Sequence, residues 1–380
     1  MTGHVVIIGG GIIGCSLAFH LAKYGHPEVT VLEAGLLGDG ATGKATGGIR
    51  QQFSSPVNAA IAHQAVGYFR DFEPLVGEPF AFRQHGYLFL LSTPGQHEQF
   101  SRAVAMQQAA GIDAEIVGTG KLGQLVPGLD TGGLLGGAYC RSDGSGSPAD
   151  ALAAFARQAR RRGVRFAEHT RVRAVTPAAG GFEVHAGEDS FRAGVVVNAA
   201  GPWAHDVGAM AGLDLPVEPH PRQAFGIGPL PQLDPAMPLT VDLASGAYVH
   251  PEAHGGIVGG GDRDTPASYQ APVRWPLAGT VIEALTRRIP WMAEAEIRSS
   301  WCGLREMTPD DHAIVGPCDV PNWWNVVGFS GHGFMQAPVI GDRVARWMLG
   351  QADGRGLEAL RLGRFAGKPT AEPEAESAVF

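Results

Sequence analysis

The chain has 380 residues, a formal net charge of -8, 44% apolar residues, and 55 glycines and 27 prolines that together make about 22% of it, against a usual share of about 12%. No Gly-X-Y period runs through it, so the excess belongs to a globular chain and not to a collagen-like or low-complexity one. The acidic balance argues against a nucleic-acid surface, and this length favours two domains over one core.

In chain order, the β-branched run 4–8 predicts a strand buried on both faces, and it leads directly into Gly9-Gly10-Gly11. Ile13, Leu17 and Leu21 recur at helical spacing over 12–24, with Gly25 placed as a C-terminal cap, and 29–32 reads as a second parallel strand. A helix is expected over 58–75, a strand over 87–91, helices over 96–110 and 149–162, and short strands near 164–166, 172–175 and 182–185. The run 195–198 reads as a core strand. Short strands punctuated by Pro and Gly between 216 and 261 suggest an antiparallel sheet. A helix over 278–289, a strand over 325–327, a glycine turn and a helix to Leu349 complete the pattern.

These switches predict an α/β protein with a discontinuous layout. Segments 1–84, 143–220 and 300–366 would build a Rossmann-like nucleotide domain, and 85–142 with 221–299 an α+β substrate domain carrying an antiparallel sheet. The Ala-, Glu- and Pro-rich segment 367–380 is expected to be a flexible tail. The basic stretch from Arg157 to Arg165 reads as a solvated helix face. Cys15, Cys140, Cys302 and Cys318 form no C-x-x-C pair, so a reducing, cytoplasmic setting without a metal site is expected. No apolar run reaches about 18 residues, and neither a membrane span nor a signal peptide is expected.

Gly9-x-Gly11-x-x-Gly14 matches G-x-G-x-x-G between a strand and a helix. The glycines serve a tight turn, close approach to a pyrophosphate and helix–strand packing, while the N–H groups at Ile12 and Ile13 open the helix that receives the phosphates. Glu33, followed by Ala34, lies 19 residues after Gly14 at the end of the second strand, where a carboxylate accepts from a ribose hydroxyl. A glycine turn with a surface Glu does not account for this joint spacing. The motif alone does not separate FAD from NAD.

The stretch from Val5 to Glu33, followed by Gly38 to Phe53, resembles the FAD-dependent amine and amino-acid oxidoreductases of the D-amino-acid oxidase superfamily, in the branch of sarcosine oxidase, its β-subunit relatives and glycine oxidase. The stretches 143–165, 195–204 and 301–349 agree, and the likeness is weakest between about 220 and 300. The resemblance implies bound FAD, with Gly40, Ala41, Thr42, Thr46, Gly47 and Gly48 along the pyrophosphate and flavin. It further implies a backbone contact from Val172 to adenine, and close approach of Ala200, Gly201 and Trp203 to the cofactor.

The turn holding Gly331, His332, Gly333, Phe334 and Met335 opens a helix whose free N–H groups would stabilise negative charge on a reduced flavin. Arg305, after Gly303, matches the carboxylate-holding position of glycine oxidases, and Arg50 a carboxylate-binding Arg of monomeric sarcosine oxidases. A guanidinium fork takes both oxygens at once; a structural ion pair is the alternative for either. Tyr248 and His250 share one strand face, either as a substrate wall or as an aromatic packing strand. His332 is either a flavin donor titrating near neutrality or a helix-start cap.

The chain also departs from the sarcosine oxidase pattern. Gly303 stands where those enzymes attach flavin through Cys, with Cys302 one place off, so non-covalent FAD is expected. Their oxygen-promoting Lys has no counterpart on the 257–261 strand, where Asp262 stands near, and Met335 replaces a second carboxylate-binding Lys. The expected activity is oxidation of the C–N bond of a small amino acid or secondary amine to an imine by hydride transfer to flavin N5, with oxygen or an electron-transfer partner as the acceptor. The alternatives are a dehydrogenase subunit passing electrons to a partner protein, and a non-catalytic dinucleotide-binding module.

Overall fold

The computed structural model describes residues 3–366, so the expected tail, 367–380, lies outside the described residues. A six-stranded sheet has the order Ile314–Pro317, Trp323–Val327, Val195–Asn198, Val5–Ile8, Val29–Leu32, Arg165–Ala167. All its pairs are parallel except the outermost, Ile314–Pro317 against Trp323–Val327. Val5 to Ile8 are all buried because both faces are covered. Val5, Ile7, Val31 and Val197 face the helices Ile12–Lys23, Pro148–Arg161 and Gly333–Met348. Val6, Ile8, Leu32 and Val196 pack on Phe182 and Val184 of the antiparallel meander Ala174–Ala178, Gly181–Ala186, Asp189–Ala193.

The strand order reverses at Val5–Ile8, which lies between Val29–Leu32 and Val195–Asn198. Diverging connections at such a point leave a crevice beyond the strands' carboxyl ends. Helices Ile12–Lys23 and Gly333–Met348 both begin at that crevice, and they pack so closely that a side chain at Gly341 would strike Ser16 Oγ.

The second sheet has eight strands in the order Ile297–Met307, Glu218–Ile227, Gly255–Gly259, Tyr248–Glu252, Leu239–Asp242, Tyr87–Leu91, Gly136–Cys140, Ala114–Val117. Its pairs are antiparallel with one exception: Leu239–Asp242 runs parallel to Tyr87–Leu91. These two strands are far apart in sequence, so no hairpin enforces the antiparallel sense expected from the Pro and Gly punctuation. The eleven-residue strand Ile297–Met307 is not legible as a strand, because its middle reads as a motif. Its partner carries Pro219 and Pro221 on the stretch where only one neighbour pairs, since Gly255–Gly259 reaches no further than Ala224. This sheet spans positions 220 and 300, at which the sequence suggests domain limits.

The helix expected over 58–75 is two helices, Pro56–Arg70 and Phe72–Val76, joined at Asp71, whose φ of -101° and ψ of 26° end the first. Ser55 caps the start by accepting from Asn58 N at 3.4 Å, with Pro56 at the first helical position. Among the described residues no helix is long and apolar enough to cross a membrane.

Candidate active site

A cavity of about 460 Å³ runs along the carboxyl ends of the parallel strands and on to the face of the eight-stranded sheet. At its first end lie Gly9, Gly11, Ile12, Ile13, Glu33 and Ala34. Gly9 has a φ of 116°, and a side chain there would run into the Ala199 carbonyl. Gly14 does not line the cavity; a side chain there would strike the Gly9 carbonyl, so its role is helix–strand packing. The Glu33 carboxylate accepts from Gly10 N at 2.7 Å and Gly35 N at 2.8 Å, which orients it at the cavity edge. Val172 lies beside this end.

Gly40, Ala41, Thr42, Thr46, Gly47 and Gly48 line the middle. Thr42 Oγ1 accepts from Ile12 N at 3.0 Å, so a distant hydroxyl caps the first turn of the helix, where Gly11 has no side chain to do so. Ala200, Gly201 and Trp203 form the opposite wall, with Trp203 stacked on Tyr269 at 6.3 Å between ring centres.

At the far end stand Arg50, Tyr248, Gly303, Arg305 and the helix start at Gly331, Gly333, Phe334 and Met335. The two arginines differ in kind. Arg50 is 1% exposed, donates to the Gln52 carbonyl and, at 3.1 Å, to His332 Nε2, and lies 4.2 Å from the centre of the Phe53 ring. The Arg305 side chain makes no hydrogen bond or ion pair among the described residues, and its guanidinium lies against Gly331, where a Cβ would come within 2.5 Å of Nε. Tyr248 is half-buried against the cavity, and its partial desolvation pushes the phenol up and keeps the proton on oxygen.

Two histidines are not brought to the cavity. His332 lies behind Arg50, from which its Nε2 accepts; burial and the Arg50 charge hold it well below its ordinary range, so it does not titrate near neutrality. His250 is fully buried, stacked on His85 at 6.1 Å, and lowered to about 3 by burial and by His85 and Arg83. It shares its strand face with Tyr248 but does not line the cavity.

Lys44, Arg222 and Glu306 also line the cavity, and no motif singles them out. Arg222 is legible only through strand register, being paired opposite Gly303. Glu306 accepts from Gly328 N at 2.9 Å, and burial pushes its carboxyl up to about 7. A carboxyl raised in this way keeps its proton in the folded chain between about pH 4.5 and 7, where the unfolded chain has lost it. Its contribution is therefore complete below that window and lost above it. In FAD-free protein, Glu306→Gln should gain stability over the parent between pH 5 and 8, by about 3 kcal/mol at most. The depressed His20, His250 and His332 act oppositely but are common to both proteins, so the difference in urea unfolding free energy is the quantity to read. An unchanged difference across that range would contradict the assignment.

The cavity suits an extended dinucleotide with a flavin ring. Side-chain-free positions line it at Gly9 and Gly47, a carboxylate stands at one end, and a helix start with no side-chain cap stands at the other. A family model described as FAD dependent oxidoreductase (DAO) matches residues 4–347. The chain is 30% identical to rat (Rattus norvegicus) mitochondrial dimethylglycine dehydrogenase over 90% of its own length, but spans only 42% of that protein. It is 30% identical to the sarcosine oxidase subunit beta of Rhizobium meliloti (strain 1021), with 95% of this chain and 88% of that one covered. Among solved structures, L-proline dehydrogenase from P. horikoshii superposes with a TM-score of 0.86 at 31% identity, covering 92% of this chain and 94% of that one. Glycine oxidase from Geobacillus kaustophilus does so with a TM-score of 0.87 at 25% identity, covering 96% and 99%. The cradle and these matches agree, and the chain belongs to the DAO family of FAD-dependent oxidoreductases.

Proposed function

We propose that the protein oxidises the C–N bond of a small amino acid or secondary amine, N-alkyl or cyclic, to an imine. The observation that carries this reading is Arg305, a guanidinium without an internal partner at the flavin end of the cavity, beside the first turn of Gly333–Met348. The names of the relatives, which include dehydrogenases and oxidases of dimethylglycine, sarcosine, proline and glycine, support the substrate class. When bound, FAD supplies the two-electron acceptor for a hydride leaving the carbon next to nitrogen. Arg305 would grip the carboxylate and so orient that carbon. The helix start at Gly333 would favour negative charge at its end of the cavity. Arg50, already bonded to Gln52 and His332, would shape the pocket floor and add positive potential.

We read segments 1–84, 143–220 and 300–366 as the cofactor-binding part, 85–142 and 221–299 as the substrate-binding part, and the location as cytoplasmic. FAD would be held non-covalently, because Gly303 offers no side chain and Cys302 points to the opposite sheet face, into a separate 180 Å³ cavity with Gln223 and Asp262. Among the described residues Lys44 is the only lysine lining the main cavity, and none lies on Gly255–Gly259, which favours an acceptor other than oxygen as the second reading. An anaerobic bleaching screen of the yellow protein with sarcosine, proline, glycine, D-amino acids and N-alkyl amino acids tests the activity. At least one should bleach the flavin, and no response to any of them would sink the proposal. Peroxide release compared with dye reduction then separates the two acceptors.

A further inference from the structure

We infer that the site takes an amine bearing two carboxylates, with one held by Arg305 and the second by Arg222 and Lys44. The inference rests on the amine-oxidising reading and deepens it. In the pairing of Glu218–Ile227 with Ile297–Met307, Arg222 lies opposite Gly303 and His220 opposite Arg305. Residues paired directly across a ladder share a face, so Arg222 and Arg305 project to the cavity side as diagonal neighbours, roughly 7–8 Å apart at the backbone. Between them Gly303 leaves a gap, and the stem of Lys44 crosses it: a Cβ on Gly303 would lie 2.6 Å from Lys44 Cβ. The Lys44 backbone is fixed there by Trp301 Nε1, which donates to its carbonyl at 2.9 Å.

Three cations thus surround one side-chain-free position, and all three line the cavity. The Arg222 guanidinium is oriented by backbone carbonyls alone, Pro221 at 2.9 Å, Asp262 at 3.3 Å and Arg263 at 3.4 Å. Among the described residues no carboxylate forms an ion pair with Arg222, Arg305 or Lys44. The nearby acids are otherwise engaged, with the Asp262 carboxylate on Gln223 N at 2.7 Å and Glu306 on Gly328 N. Burial and the neighbouring Arg305 charge lower the affinity of Arg222 for its proton, and the Asp262 carboxylate, held on Gln223 N, offsets only part of this. A monocarboxylic amine would answer one of these cations. A second carboxylate on the amine's other substituent would answer the remaining two, with the Arg222 guanidinium already oriented by three carbonyls and the exposed Lys44 side chain closing on it from the rim.

The test uses the FAD-loaded protein and two substrates of near-equal size, N-propylglycine and N-(2-carboxyethyl)glycine, with anaerobic flavin reduction as the readout. The dicarboxylic amine should have the higher kcat/KM, and Arg222→Gln should lower the ratio of the two by about tenfold or more, with Arg222→Lys restoring part of it. Binding without turnover is read separately from the flavin absorbance shift and the thermal midpoint with succinate or glutarate against butyrate. The dicarboxylates should bind about tenfold tighter in the parent and lose that preference in Arg222→Gln. If Arg222→Gln fails to fold, Lys44→Met carries the same comparison. A preference for dicarboxylates in the binding assay, with no amine bleaching the flavin, would uphold the subsite and overturn the amine-oxidising reading. Equal ratios in parent and variants, or tighter binding of butyrate, would overturn the subsite.

Discussion

Arg305→Met should lower kcat/KM for a carboxylate-bearing amine by about 10²–10³-fold while the purified protein keeps its flavin. The magnitude is that of removing one partner from a desolvated, charge-assisted pair, which costs about 2–5 kcal/mol. The loss should fall on carboxylated amines and spare those lacking the group, because the proposed role is to orient the substrate through that carboxylate. Arg305 is the better choice for the experiment than Arg50. The Arg50 donors serve the Gln52 carbonyl and His332 Nε2, so its removal strands buried acceptors and perturbs folding as well as binding. Steady-state kinetics with matched carboxylated and decarboxylated amines decide the matter, and a change of less than about threefold on the carboxylated partner would remove Arg305 from the site.

Gly9→Ala should yield protein without bound FAD and with a stability loss of about 3 kcal/mol or more. At this position φ is 116°, which L side chains rarely adopt, and the new methyl group would meet the Ala199 carbonyl oxygen. No flexible side chain can yield there, since the nearest atoms, of Ala199 and Ala200, are backbone just beyond the paired strands Val5–Ile8 and Val195–Asn198. Gly279→Ala is the matched control. It lies within the helix Pro276–Arg288 at negative φ with nothing within 4 Å of the added carbon, and should be neutral or stabilising by up to about 1 kcal/mol. The ratio of absorbance at 450 nm to that at 280 nm, with the thermal midpoint, reads both effects. A yellow Gly9→Ala protein with the parent's midpoint would overturn this account of the turn.

The cofactor end was largely legible in the sequence because its rules are local. A buried strand needs a run of β-branched residues, a helix start receiving phosphate needs side-chain-free turns, and a carboxylate at the end of the next strand follows at a set spacing. Val5–Ile8, Gly9, Gly11, Gly14 and Glu33 carry those rules within about 30 residues. The Gly40–Gly48 stretch is different: its composition says only loop, and the family resemblance supplied its place beside the cofactor.

The reactive end depended on pairing between distant segments. Whether an arginine side chain is already bonded is a property of its neighbours in space: Arg50 meets His332 across 282 positions, while the Arg305 side chain bonds to none of the described residues. Strand alternation set Tyr248 and His250 on one face, yet only the packing of His85 under the sheet separates the cavity-lining Tyr248 from the buried His250. The glycine excess follows the same division. Gly9, Gly11 and Gly14 declare their purpose by spacing, whereas Gly303 acquires one only when Lys44 is laid across it. By itself the sequence determined a dinucleotide-binding unit and the local turns that build it, because these follow from residues near one another along the chain, while the family and its flavin rested on a resemblance spread over distant stretches. The tertiary structure alone decided which cations face the cavity, because that depends on the register between Glu218–Ile227 and Ile297–Met307 and on a loop from the N-terminal part folded over them.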